Sequence, residues 1–128
     1  MTAKSAALLI GIIFIAVGLI GFIDNPIVYN SEKAIFHADT AHNYVHIVSG
    51  VLFVFVALAS PAFAKTFMVL FGAVYLGLGI WGALTVGSES MTTLLGFLHV
   101  NTNDNYLHIG LGVVILLLGL ASRRAVTA

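Results

Sequence analysis

Hydrophobic residues in this chain fall into four long runs that are separated by shorter polar segments. The runs cover about residues 6–23, 41–59, 66–86 and 105–122. A helix rises about 1.5 Å per residue, so about 20 residues cross a hydrocarbon core of roughly 30 Å. The runs lack the alternation of polar and apolar residues that the strands of a membrane barrel show. The pattern therefore predicts an all-α membrane protein with four transmembrane helices.

The segments that open the second and fourth runs are copies of one another. Residues 37–51 and 99–113 agree at 8 of 15 positions when they are aligned at an offset of 62. The shared residues are His37/His99, Thr40/Thr102, Asn43/Asn105, Tyr44/Tyr106, His46/His108, Ile47/Ile109, Gly50/Gly112 and Val51/Val113. The glycines of the first and third runs match at an offset of 61, namely Gly11, Gly18 and Gly21 with Gly72, Gly79 and Gly82. We therefore predict one membrane domain, residues 1–128, built from a repeat at about 5–64 and a second at about 65–124.

Because each repeat contains two spans, both repeats enter the membrane in the same direction. Their pseudo-two-fold axis then runs along the membrane normal, and the fold is a four-helix bundle of two parallel-repeat hairpins. We expect the second and fourth helices to meet near this axis, because each carries a stripe of small and polar residues at helical spacing. The stripes are Asn43, His46, Gly50, Val54 and Ala57, and Asn105, His108, Gly112, Leu116 and Gly119.

The repeated motif N-x-x-H-[IL]-x-x-G is specific enough to suggest a family. Its carriers are Asn43, His46, Ile47 and Gly50, then Asn105, His108, Ile109 and Gly112, with Asn101 and Asp104 leading into the second copy. In this pattern the chain resembles a family of uncharacterised bacterial four-helix integral membrane proteins, a domain of unknown function. The resemblance covers most of the chain and implies the four-span fold, but it implies no activity. The first copy departs from the second by having His42 where the second has Asp104.

Composition supports a membrane location and excludes several classes of function. The chain has 128 residues, of which 60% are hydrophobic and only 8% are charged. Soluble domains carry about a quarter charged residues. The formal net charge is zero, so there is no basic surface to attract nucleic acid. The chain has no cysteine, which excludes disulfides and thiolate metal sites.

The charged residues predict an orientation. Four spans place both termini on one side, together with a short linker at about 60–65. That side carries Lys4, Lys65, Arg123 and Arg124, whereas the other side carries Lys33 and all five acids, Asp24, Glu32, Asp39, Glu89 and Asp104. The positive-inside rule therefore places both termini in the cytoplasm of a bacterial inner membrane.

The two longer connections, 24–40 and about 87–104, are then exposed on the outer side. We expect both to lie in the outer membrane interface, the second with an apolar segment that follows Ser88 and Ser90 as helix caps. His37 and His99 lie in these connections, and we interpret them as residues at headgroup level.

Two interpretations remain open for the Asn–His pairs. The first is a helix-packing polar network, in which hydrogen bonds fix the helix register. Its members are Asn43, His46, Gly50, Asn105, His108 and Gly112. The second is ligation of a divalent metal or a haem iron, because histidines on facing helices of a bundle can converge on one ion.

The candidate ligands are four residues with helical spacing. His42 and His46 are four positions apart, which puts both imidazoles on one face of a helix, and Asp104 and His108 repeat this spacing. Together the two pairs could form a site of three histidines and one aspartate near the outer surface. A haem would have to be bound non-covalently, because the chain lacks cysteine.

We expect a small, non-enzymatic integral membrane protein that acts as an accessory or assembly subunit of a larger membrane complex. So little of the chain lies outside the four spans that contact with lipid, other membrane proteins or further copies of itself is its main available mode. No G-x-S-x-G or phosphate-binding loop is present. The alternative is a haem- or metal-binding membrane protein, and a second alternative is proton or ion handling.

Overall fold

The computed structural model describes residues 1–86, 91–96 and 98–124, and its main elements are four α-helices. These are α1 (Ala3–Ile20), α2 (Thr40–Ala59), α3 (Pro61–Val86) and α4 (Thr102–Ala121). All four are long and apolar enough to cross a membrane. The prediction of a mostly helical chain with four potential membrane spans is confirmed. The helices leave many large apolar side chains exposed, as lipid contact requires.

The polar residues between the hydrophobic runs set the starts of α2 and α4. Asp39 is the N-cap of α2, and its carboxylate accepts a hydrogen bond of 2.8 Å from the His42 backbone N–H. At α4 the Asn101 side chain accepts from the Asp104 N–H, and the Asp104 carboxylate accepts from the Asn101 N–H. This reciprocal pair is a capping box, which satisfies two otherwise unpaired amides. It explains why α4 begins at Thr102, three residues before the hydrophobic run.

The predicted linker at 60–65 between α2 and α3 is wrong, because the connection is much shorter. Ser60 is the only residue between the two helices, and Pro61 is the first residue of α3. Proline cannot continue α2, but its fixed φ and missing N–H suit the first position of a helix. Pro61 therefore prevents α2 from continuing and also starts α3.

Glycines bring the helices together within each repeat. A Cβ added to Gly11 of α1 would lie 2.8 Å from the Gly50 carbonyl oxygen of α2, and one added to Gly72 of α3 would lie 3.0 Å from that of Gly112 in α4. α1 therefore packs on α2, and α3 packs on α4. The expectation that α2 and α4 meet through their stripes of small and polar residues is wrong for the glycines, because Gly50 lies against α1 and Gly112 lies against α3. Close backbone approach needs small residues on both helices, and here each stripe meets the glycines of its own hairpin partner.

The two long connections build one end of the molecule, which we call the loop end. In the first, β1 (Val28–Tyr29) pairs in parallel with β2 (Phe36–His37). In the second, β3 (Met91–Leu94) and β4 (Leu98–Asn101) form an antiparallel hairpin. Met91–Leu94 is thus extended, and the expected interfacial helix is wrong for these residues. Ser88 and Ser90, its expected caps, lie outside the described residues.

The β3–β4 hairpin covers the start of α2. Its buried side chains, Leu94, Leu98 and Val100, pack against Val45. The amides of Asn101 and Asn103 also donate hydrogen bonds to the Ile35 carbonyl oxygen, which ties the second connection to the first. The two connections therefore contact each other and together cover the ends of α2 and α4 that carry the histidines.

Candidate metal centre

Three histidine side chains from two helices converge beneath the loop end. His42 and His46 lie one turn apart on α2, and His108, the counterpart of His46 in the second repeat, lies on α4. The ring centroids of His42 are 4.5 Å from His46 and 5.6 Å from His108. One ring nitrogen from each residue lies within 4.8 Å of the other two. We call these three residues the histidine triad.

The triad is buried, and its nitrogens lack protein partners. The three side chains are 3%, 7% and 6% exposed. In each ring the Nδ1 atom is shielded from solvent and has no hydrogen-bond partner in the described part of the chain. Buried polar atoms are almost always paired with protein, water or an ion. The triad therefore combines three converging imidazoles with three buried nitrogens that have no partner in the described part of the chain.

Aromatic rings form the floor of the triad. The Tyr75 hydroxyl lies 3.3 Å from His46 Nε2, and the Tyr75 ring centroid is 4.7 Å from that of His108. Phe14 lies beside Tyr75, with its ring centroid 5.6 Å from that of Tyr75 and 5.9 Å from that of His46. Phe14 and Tyr75 occupy matching positions in the two repeats, at an offset of 61. Both rings belong to the hydrophobic core cluster, so the triad packs directly on that core.

The spacing of the nitrogens suits a small metal ion. Zn–N bonds of about 2.0–2.1 Å at tetrahedral angles place neighbouring nitrogens roughly 3.3 Å apart. A separation of at most 4.8 Å reaches this value after modest side-chain rotation. The Tyr75 hydroxyl lies within hydrogen-bond distance of His46 Nε2. Nδ1 is therefore the nitrogen of His46 that is left to bind a metal ion. A hydrogen bond on the opposite ring nitrogen is the usual way in which a ligating histidine is oriented.

The other residues of the predicted sites lie elsewhere. Asp104 is buried, but it is not a member of the converging group, and its carboxylate belongs to the capping box of α4. Asn43 and Asn105 do not bridge α2 and α4. Their amides rest on the backbone of Gly21 and Gly82, where an added Cβ would collide with the amide oxygens.

The remaining two histidines also lie at the loop end. His37 is buried on β2 and His99 is exposed on β4, and their ring centroids are 6.4 Å apart. All five histidines of the chain thus gather at one end of the molecule. Residues from both connections and from both repeats contribute to this arrangement.

Comparison with known proteins places the chain in a family. The family model described as Domain of unknown function (DUF4383) matches residues 4–121. The chain belongs to DUF4383. The resemblance to a domain of unknown function that the motifs indicate is confirmed. No curated protein and no solved structure shows a significant match to the chain.

Within this DUF4383 chain, sequence reasoning missed Tyr75. The residue shares the glycine face of α3, at positions 72, 75, 79 and 82, and it is the one polar-tipped aromatic residue among them. Its equivalent in the first repeat, Phe14, has no hydroxyl. The sequence signal for Tyr75 is therefore the hydroxyl that distinguishes it from Phe14 at the matching position of the first repeat.

Proposed function

We propose that this protein binds one first-row transition-metal ion, such as Zn²⁺, through His42, His46 and His108. The observation that supports the proposal is the convergence of three buried imidazoles whose Nδ1 atoms lack partners among the described residues. Imidazole is a common ligand of zinc, copper, iron and nickel. Three histidines leave a fourth coordination position for water or another ligand.

A metal ion explains the triad better than a network of hydrogen bonds alone. Each neutral imidazole has one donor and one acceptor nitrogen, so three rings present six groups to satisfy. The Tyr75 hydroxyl accounts for one of them. The three Nδ1 atoms are buried without partners among the described residues, and this burial costs free energy that an ion bound to them would recover.

The geometry favours a bare ion over haem. A porphyrin between two axial imidazoles needs a wide flat space around the iron. Here the rings of Phe14 and Tyr75 lie against His46 and His108, and the His42 ring lies against both histidines. These side chains fill the volume that a macrocycle would occupy.

The second alternative, proton or ion handling, gains no support from the core. Between the triad and Ser122 at the far end of α4, the buried side chains that the structure describes are apolar or aromatic and include Phe53, Met68 and Ile115. A conducting pathway would need polar groups at this depth. The expectation of a lateral partner remains a prediction, because the exposed apolar faces suit lipid and partner helices equally.

We further propose that the loop end faces outward from a bacterial inner membrane and that both termini are cytoplasmic. The support is the charge distribution, with Lys65, Arg123 and Arg124 near the termini and Glu32 and Asp39 at the loop end. With this orientation the histidine triad lies close to the outer surface. The ion would then exchange with the external solution.

Metal analysis of the purified protein tests the proposal. The protein is isolated in mild detergent without a polyhistidine tag, incubated with Zn²⁺, freed of excess metal and analysed for metal and for visible absorption. We expect about one ion per chain, no Soret band, and loss of the ion in His46→Gln and His108→Gln. Tyr106→Phe, an exposed change on the same turn of α4, should keep the ion.

Two results would contradict the proposal. If the folded wild-type protein retained no zinc, cobalt or copper, the triad would not be a metal site and would serve only in helix packing. A Soret band that disappears in the same two variants would establish haem ligation instead.

A further inference from the structure

The end of the molecule opposite the loop end carries a group of basic residues, and we call it the basic end. Its cations are Lys4, Lys65, Arg123 and Arg124. The acidic residues that the structure describes all lie in the two long connections or at the helix ends beside them, namely Asp24, Glu32, Asp39 and Asp104. Among the described residues, the positive charge of the basic end is therefore not compensated by any carboxylate.

Backbone hydrogen bonds join the start of α1 to the residues that follow α4. The Ala3 N–H donates a hydrogen bond of 2.8 Å to the Arg123 carbonyl oxygen, and the Arg123 N–H donates one of 3.2 Å to the Met1 carbonyl oxygen. Lys4 is the next residue after Ala3, so its backbone lies close to that of Arg123. Two cationic side chains from opposite ends of the sequence thus begin at neighbouring positions.

The cations of the basic end differ in what they contact. Lys65 donates to three carbonyl oxygens at the end of α4, and Arg124 donates a hydrogen bond of 2.8 Å to the Ala62 carbonyl oxygen. Lys4 and Arg123 are exposed, and their side chains form no hydrogen bond or ion pair with the described part of the chain. These two cations are therefore available to an anion from outside the protein.

Exposed apolar side chains lie next to both of these cations. Leu9 and Ile12 follow Lys4 within about two turns of α1 and are 50% and 59% exposed. Leu120 precedes Arg123 by three residues and is 58% exposed. Cations at the end of an apolar helix surface match the chemistry of a phospholipid, in which a phosphate is joined to acyl chains. A free anion would use the cations alone.

We propose that Lys4 and Arg123 bind the headgroup phosphate of an anionic phospholipid, whose acyl chains lie along the exposed apolar residues of α1 and α4. This site is separate from the histidine triad and does not depend on a metal ion. With both termini in the cytoplasm, the site lies in the cytoplasmic leaflet, where anionic lipids attract basic residues beside membrane spans. Lys65 and Arg124 add to the positive field without giving up their contacts within the protein.

Equilibrium binding of radiolabelled phosphatidylglycerol to the purified full-length protein in a neutral detergent tests the proposal. We expect unlabelled phosphatidylglycerol to displace the label much better than phosphatidylcholine does, since phosphatidylcholine carries no net charge. Lys4→Gln and Arg123→Gln should each raise the Kd for phosphatidylglycerol about fivefold, which corresponds to about 1 kcal/mol per basic residue. Lys33→Gln is the matched control, because Lys33 is an exposed lysine at the loop end, and it should keep the wild-type Kd.

Further variants and competitors separate a lipid site from a general charge effect. Lys4→Arg and Arg123→Lys keep the charges and should keep the wild-type affinity, which excludes loss of folding as the cause. An unchanged Kd in Lys4→Gln/Arg123→Gln, or an equal rise in Lys33→Gln, would overturn the site. Displacement of the label by inorganic phosphate at constant ionic strength would assign the two cations to a free anion instead. None of these outcomes would alter the test of the histidine triad.

Discussion

Gly110 and Gly112 lie two residues apart on α4 and have opposite environments. A Cβ at Gly112 would lie 2.5 Å from the Leu76 backbone nitrogen of α3, whereas one at Gly110 would meet no described atom within 4 Å. We predict that Gly112→Ala lowers the free energy of unfolding by about 1–3 kcal/mol, since the helices must separate. Gly110→Ala is the matched control, and it should leave stability unchanged or raise it by up to about 1 kcal/mol. Unfolding in mixed detergent micelles measures both, and equal effects would contradict the glycine-mediated contact.

Asp104 provides a test of which residues belong to the metal site. The sequence predicts it as a ligand, whereas the structure uses its carboxylate to cap α4. We predict that Asp104→Asn keeps about one zinc ion per chain, because asparagine can still accept the capping hydrogen bond. His42→Asn should lose the ion. Metal analysis of the two variants side by side decides the point, and zinc loss in Asp104→Asn would restore the carboxylate as a ligand.

The internal repeat allowed two of the three triad residues to be predicted from the sequence, but it also suggested a ligand role for Asp104, which instead caps α4. His46 and His108 match between repeats, and the pattern placed them together. His42 and Asp104 also occupy matching positions, so symmetry suggested matching roles. Each is the third residue after a helix N-cap, Asn101 or Asp39. Only Asp104 completes a capping box, because its carboxylate accepts a hydrogen bond from the N-cap backbone N–H, whereas the His42 ring belongs to the triad.

At the scale of elements, one lysine closes the C-terminus of α4. The Lys65 ammonium on α3 donates hydrogen bonds of 2.7–2.8 Å to the carbonyl oxygens of Gly119, Leu120 and Ser122. We predict that Lys65→Met lowers the free energy of unfolding by about 1–3 kcal/mol, because three carbonyls lose a charged donor at the negative end of the helix. Lys4, its counterpart in the first repeat, is exposed, and Lys4→Met should have little effect. Thermal unfolding of both variants provides the comparison, and similar losses would contradict the capping role.

Hydrophobic runs predicted the existence of all four helices but not their ends or their pairing. The ends depend on single residues such as Pro61 and Asn101, whose effects lie outside a hydropathy pattern. The pairing depends on which glycine face meets which, and Gly50 could have met either α1 or α4 by spacing alone. The β3–β4 hairpin was missed because a short apolar segment suits a helix or a strand equally.

At the scale of the whole molecule, the orientation of the two ends is testable because the chain contains no cysteine. Asn30→Cys adds a thiol at the loop end, and Ala62→Cys adds one near the termini; both positions are exposed. We predict that a membrane-impermeant maleimide labels Asn30→Cys in intact bacterial cells and labels Ala62→Cys only after the membrane is opened. The reverse pattern would place the histidines on the cytoplasmic side.

X-ray absorption at the zinc edge, on protein loaded with one equivalent of Zn²⁺, tests most directly whether the three buried histidines hold an ion together. We predict a shell of nitrogen or oxygen atoms at about 2.0–2.1 Å with the outer-shell scattering of three imidazoles. A zinc shell made of oxygen atoms alone, or with fewer than two imidazoles, would show that His42, His46 and His108 do not converge on a metal.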